Sequence, residues 1–257
     1  MSEADVDDKK TPLFLKETAF LGLVVSLLLF IPLTLFAQGE GDSTKRALEE
    51  LKKCQERASA LNEYTLTLIK QERIRGRLNP AQNISVKWKK PLMIYLKINS
   101  GNDSGREIIY AKGKNDDKMI VSPGGILGTI TIKISPESRL AMRNNRHSVD
   151  EAGMAATIRR INTTIREDMK KPGHKIRLTY VGEETYDDKE TIHIRVERSS
   201  YAGRTEIYIY KSSHLICALH SYDERGSLME SYVYKDIKTD VGLTDKDFDP
   251  KNKDYKF

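Results

Sequence analysis

The sequence predicts an α+β fold: one large curved antiparallel sheet with helices against one face. Three observations predict it. Short runs with apolar residues at a period of two fill most of the chain beyond residue 62. Turn clusters rather than helices separate those runs. Only two stretches outside the N-terminus carry a helical period, and strands and helices do not alternate, so a parallel sheet is not expected.

The first helix is read from "STKRALEELKKCQERASALN", where Ala47, Leu51, Cys54, Ala58 and Leu61 fall on one face. The period then switches. "EYTLTLIKQERIRGRL", "NISVKW", "PLMIYLKI", "REIIYAKG", "KMIVS" and "TITIKI" read as strands, with turns at Asn79–Pro80, "NSGNDSG", "KNDD" and "PGGILG". A second helix interrupts the series. Ser148 and Glu151 match a capping box, Met154, Ile158, Ile161 and Ile165 line one face, and "KKPG" (170–173) ends it. Strands resume with "KIRLTYVG", "ETIHIRVER", "RTEIYIYK", "LICALHSYD" and "LMESYVYKDI", for ten or eleven in all. No repeat and no linker divides residues 38–257, so they read as a single domain.

The 257 residues carry a net charge of +6, with both signs interleaved. Clusters such as "KWKKP" (87–91) are short and flanked by apolar or acidic residues, so nucleic acid is not an expected partner. The N-terminus is more specific. "AFLGLVVSLLLFIPLTLFA" (19–37) is uncharged and follows Lys9, Lys10 and Lys16, which marks residues 1–37 as a signal peptide or a signal anchor. Pro32 and Ala37 favour cleavage, while Leu35 at the other recognition position does not. No Cys follows directly, so a lipoprotein signal is not supported. The rest of the chain is expected in the periplasm or cell envelope, or held at the inner membrane by residues 19–37. Export makes Cys54 and Cys217 a candidate disulfide; two separate buried thiols are the alternative.

Catalytic patterns fail one by one. The five histidines, His147, His174, His193, His214 and His220, include no pair at helical metal-ligand spacing. No serine stands in a nucleophile elbow. "TDKDFDPKNKDYKF" spaces Asp245, Asp247 and Asp249 like a calcium loop, yet Pro250 stands where glycine is required and Lys256 where the bidentate acid belongs, so it reads as a solvated acidic tail. No cofactor, no metal and no enzymatic activity are expected. "RLAMRNNRHSVDEAGM" gathers Arg139, Arg143, Arg146 and His147 before the second helix and reads first as a helix entry.

The order of "YTLTLIKQERIRGRL", "VKWKKPLMIYLKI", "GREIIYAKGKNDDKMIV", "RLAMRNNRHSVDEAGM" and "LMESYVYKDIKTDVGLTDKDFDPKNKDYKF" resembles one bacterial family, the domain of unknown function 1571. That family carries no established activity, so the resemblance transfers no catalytic residue. It is similar in architecture to the LolA-like lipoprotein-carrier superfamily. This resemblance implies an exported open half-barrel, helices on its concave face, and acyl chains bound between the two. A half-barrel too wide to fill with its own side chains leaves an apolar hollow. In this sequence Tyr64, Leu66, Leu68, Val86, Trp88, Met93, Tyr95 and Tyr110, with Met154, Ile158 and Ile161, would line it; plain core packing is the alternative for each. Arg143, Arg146 and His147 would stand at the rim and meet a headgroup phosphate. The expected protein is a monomer that binds a lipid, a lipoprotein acyl chain or a similar amphiphile. The alternative is a sensor or scaffold that binds an envelope protein.

Overall fold

Helix α1 (Leu33–Ala60) leads into β1 (Glu63–Ile74). A two-residue turn at Arg75 and Gly76, both at positive φ, folds back the short β2 (Arg77–Leu78). β3 (Gln82–Lys89), β4 (Met93–Ser100), β5 (Glu107–Ala111), β6 (Met119–Ser122) and β7 (Ile132–Ile134) follow. A crossing segment then carries α2 (Met154–Lys170) to β8 (Arg177–Tyr186), β9 (Lys189–Glu197), β10 (Arg204–Tyr210), β11 (Ile216–Tyr222) and β12 (Leu228–Thr239). The structure, a computed structural model, describes residues 33–124 and 130–257. Most of the apolar run 19–37 and part of the turn read at 123–128 therefore lie outside the described residues. Among the described residues no helix is long and apolar enough to cross a membrane.

The described strands form one open antiparallel sheet in the order β7-β6-β5-β4-β3-β1-β12-β11-β10-β9-β8, with β2 paired to β1 alone. The first and last long strands are thus neighbours in the middle. The chain walks from the centre to one edge, crosses one face through α2, and returns from the other edge. Residues Glu40–Phe257 form one compact unit.

The helical faces read from sequence are the ones that pack. Ala47, Leu51, Cys54 and Ala58 of α1, and Met154, Ile158 and Ile165 of α2, are buried in one cluster with the inner-face residues of the sheet. Each fully buried Leu or Ile contributes about 1.5–3 kcal/mol. Asn162 ties the helices together, donating to the Leu51 carbonyl at 3.2 Å and to Gln55 Oε1 at 2.7 Å.

Several expectations change. α1 runs through "QGEGDS", read from sequence as a break, because a helix-interior glycine costs only about 1 kcal/mol against alanine. The capping box at Ser148 and Glu151 does not form: Val149–Glu151 is a separate 3₁₀ turn, and the Ser148 hydroxyl has no hydrogen-bond partner among the described residues. α2 starts after Gly153 at φ 115° instead, where the Tyr64 hydroxyl accepts the free Met154 N–H at 3.1 Å. The expected Cys54–Cys217 disulfide is absent, and both thiols are free and buried. Cys54 faces the Ile216 backbone, whereas a bulge between the Ala218 and Ile216 pairings turns Cys217 against the Tyr210 side chain.

The acidic tail is not merely solvated. Thr244 and Asp247 form a true capping box there, and Asp247 pairs with Lys87 at 2.8 Å. Beyond it Phe248, Tyr255 and Phe257 cover Met93, Tyr95, Ile109 and Ile120 on the outer face of the sheet.

Candidate functional site

The inner face of the β7 half carries a row of apolar side chains in lateral register. Leu66 pairs with Val86, Val86 with Leu96, Leu96 with Ile108, Ile108 with Val121, and Val121 with Ile132. The row crosses β1, β3, β4, β5, β6 and β7. Strand alternation puts a second row beside it, in which Tyr234, Leu68 and Ile84 are successive partners.

Core packing does not cover these rows completely. A cavity of about 230 Å³ lies over them. Tyr64, Leu66, Leu68, Ile84, Val86, Ile94, Leu96, Ile108, Met119, Val121, Ile132 and Ile134 form its floor. The crossing segment roofs it with Pro136, Leu140, Ala141, Met142, Val149, Ala152 and Gly153, and α2 adds Thr157 and Arg160. The volume falls just under the ~300–1,000 Å³ of typical small-molecule pockets, which suits one slender chain. Over the apolar rows water finds too few polar partners to be held well, since it needs two or more.

Tyr64 fixes one end. Its ring stacks on Trp88 at 5.0 Å between centroids, and its hydroxyl holds the α2 N-terminus. A Cβ at Gly153 would stand 2.8 Å from Trp88 Nε1 and 2.9 Å from the Tyr64 hydroxyl. Only glycine lets the crossing segment approach this closely.

The other end is polar. Glu72 on β1 and Glu230 on β12 are direct cross-strand partners and almost wholly buried, at 3% and 1% exposure. Two opposed carboxylates repel unless bridged. The Tyr232 hydroxyl donates to Glu72 Oε1 and contacts Glu230 Oε2 at 3.2 Å. Glu72 also takes the Arg146 backbone N–H at 3.1 Å and lies 3.3 Å from Lys70 Nζ. Glu230 receives the Tyr201 hydroxyl at 2.7 Å and His147 Nε2 at 2.9 Å. Burial alone would raise the Glu230 carboxyl, but the hydrogen bond and charge of His147, with Tyr201, hold it below the usual carboxylate range. Burial, with the charges of Glu230 and Glu72, pushes the Tyr232 phenol far up, so it stays a donor. This cluster fastens the crossing segment to the sheet beside the cavity.

The sequence-derived candidates are distributed as follows. Tyr64, Leu66, Leu68 and Val86 line the cavity. Trp88, Tyr110, Met154 and Ile158 are core residues. Ile161 borders a smaller neighbouring cavity of about 30 Å³. Met93 and Tyr95 face the opposite side of the sheet; their neighbours Ile94 and Leu96 take the inward positions. The five-residue apolar run Leu92–Leu96 has no phase of its own, since both faces of β4 are covered. Of the basic candidates, His147 lines the cavity, Arg146 is held by Glu72, Tyr201 and the Arg73 carbonyl, and Arg143 is not among the lining residues. Arg160, Lys70 and Glu72 were missed. Nothing in their local sequence separates them from ordinary surface charges.

A family model described as "Protein of unknown function (DUF1571)" matches residues 61–257. The chain belongs to that family. Solved structures similar to this DUF1571 chain include the Mycobacterium tuberculosis lipoprotein LppX, at 11% identity over 79% of this chain and 100% of that one, TM-score 0.49. A LolA superfamily protein from Nitrosomonas europaea aligns at 14% identity over 80% and 97%, TM-score 0.34. The Pseudomonas aeruginosa MucA/MucB complex aligns at 11% over 79% and 60%, TM-score 0.41. No curated protein sequence matches the chain.

Proposed function

We propose that this DUF1571 protein acts in the cell envelope by binding the acyl chain of a lipid, a lipoprotein or a similar amphiphile, without catalysing a reaction. The observation that supports this reading is the apolar hollow between the aligned rows and the crossing segment. Each methylene moved from water into such a lining gains about 0.8 kcal/mol. About six to eight carbons therefore supply roughly 5–6 kcal/mol before the costs of association. The polar cluster at Glu72 and Glu230 serves the reading by holding the roof in place.

Trp88 is the only tryptophan in the chain and stacks on the cavity-lining Tyr64, so its fluorescence reports occupancy. Titration with dodecanol is expected to give a saturable change. In Val86→Phe the added ring projects into the hollow, and affinity should fall at least tenfold with little change in melting temperature. A wild-type protein that shows no saturable change and retains no dodecanol after gel filtration would overturn the reading.

A further inference from the structure

Arg160 of α2 lines both the main cavity and the small one beside it. The other cations of the main cavity are engaged. Lys70 lies 3.3 Å from Glu72 Oε2 and donates to Asn145. Arg106 meets Asp103 at 2.9 Å, and His147 meets Glu230 at 2.9 Å. Arg160 makes no hydrogen bond and no ion pair among the described residues, although its side chain is partly buried. Its charge reaches Glu230 and the Tyr234 hydroxyl. Those groups are already taken: Glu230 by His147, Tyr201, Tyr232 and Ser221, and Tyr234 by Thr157 at 3.1 Å.

A guanidinium that borders an apolar cavity with no hydrogen-bonded anion lacks the charge-assisted bonds that its planar fork is shaped to make. The fork fits a carboxylate or phosphate with two parallel bonds. The apolar rows begin within the same cavity, and its 230 Å³ admits one chain rather than several.

We infer that Arg160 is the headgroup receptor of this cavity, and that the ligand is a single-chain amphiphile ending in one anionic group, a carboxylate or a phosphate. The chain lies along the apolar rows and the head meets Arg160, while Arg146 and His147 keep the roof in place. This rests on the reading of the cavity as an acyl-chain site.

The test titrates the full chain with laurate, dodecyl phosphate, dodecanol and inorganic phosphate, following Trp88 fluorescence and, for phosphate, calorimetry. The wild type should bind laurate and dodecyl phosphate at least tenfold more tightly than dodecanol. Arg160→Gln should lose that advantage and keep dodecanol affinity within twofold. Arg160→Lys, which keeps the charge without the fork, should fall between. Equal binding of laurate and dodecanol by the wild type, or an unchanged laurate affinity in a folded Arg160→Gln, overturns the inference and leaves the cavity reading standing. Failure of the wild type to take up any of the three chains overturns the cavity reading itself. Inorganic phosphate bound as tightly as dodecyl phosphate, and lost in Arg160→Gln, makes this a plain anion pocket and also overturns the inference. Should Arg160→Gln not fold, the wild-type comparison of laurate with dodecanol decides.

Discussion

Replacing Tyr232 by Phe removes one oxygen from the seam between β1 and β12, at the point where two buried carboxylates face each other. The hydroxyl donates its one proton to Glu72 and lies 3.2 Å from Glu230 Oε2. A hydrogen bond to a charged group is worth about 1.5–3 kcal/mol. Neither carboxylate is stripped, since Glu72 keeps the Arg146 N–H and Lys70, and Glu230 keeps His147 and Tyr201. One charged hydrogen bond is therefore lost, at the low end of the range, and the expected loss at pH 7 is about 1.5–2 kcal/mol. For a unit of this size that corresponds to roughly 3–8 °C in Tm.

The pH dependence follows from the direction of the Glu230 shift. A carboxylate held low in the folded state contributes stability above its unfolded pKa of about 4.3, and the contribution is lost as pH falls through the folded value. Without the Tyr201 phenol, one of the donors that hold it, the carboxylate is held less low, so a Tyr201→Phe variant loses less on acidification. The gap between wild type and that variant should narrow below about pH 4. Urea melts at pH 7 and pH 4 measure both quantities. A difference under about 0.5 kcal/mol at pH 7 for Tyr232→Phe, or a gap that widens toward acid for Tyr201→Phe, would refute the argument.

Gly153→Ala should cost about 3 kcal/mol, because a residue with a Cβ is strained at φ 115° and the added carbon meets Trp88 and Tyr64. Thermal melts and a shifted Trp88 emission would show it, and a neutral variant would contradict the packing at the roof. For the cysteines, burial pushes the Cys54 thiol up to about 12 and raises that of Cys217. A thiol reagent should find neither in the folded protein and two after unfolding without reductant. Two unreactive sulfurs in the unfolded, unreduced chain would restore the disulfide.

Much of the fold was readable because its periods are clean. The α1 face from Ala47 to Ala58 followed from spacing, and the end of α2 at Lys170 from the stop signal at residues 170–173. The phase of β4 did not, since a continuous apolar run reads the same in either register. The α2 start was misplaced because Ser148 and Glu151 have the right residue types, while a tyrosine 90 positions away satisfies the first N–H. The polar cluster was illegible for a related reason. Glu72 and Glu230 look like solvent-facing strand residues until the pairing of β1 with β12 brings them together. Local pattern sets faces and turns; long-range pairing decides which charges are buried and which cation is left facing the cavity.

Native mass spectrometry of the protein purified without detergent, followed by lipid extraction, tests the central claim most directly. The account predicts a co-purifying single-chain amphiphile of defined mass that Val86→Phe fails to retain. Protein that emerges ligand-free and also takes up neither laurate nor dodecanol would contradict it.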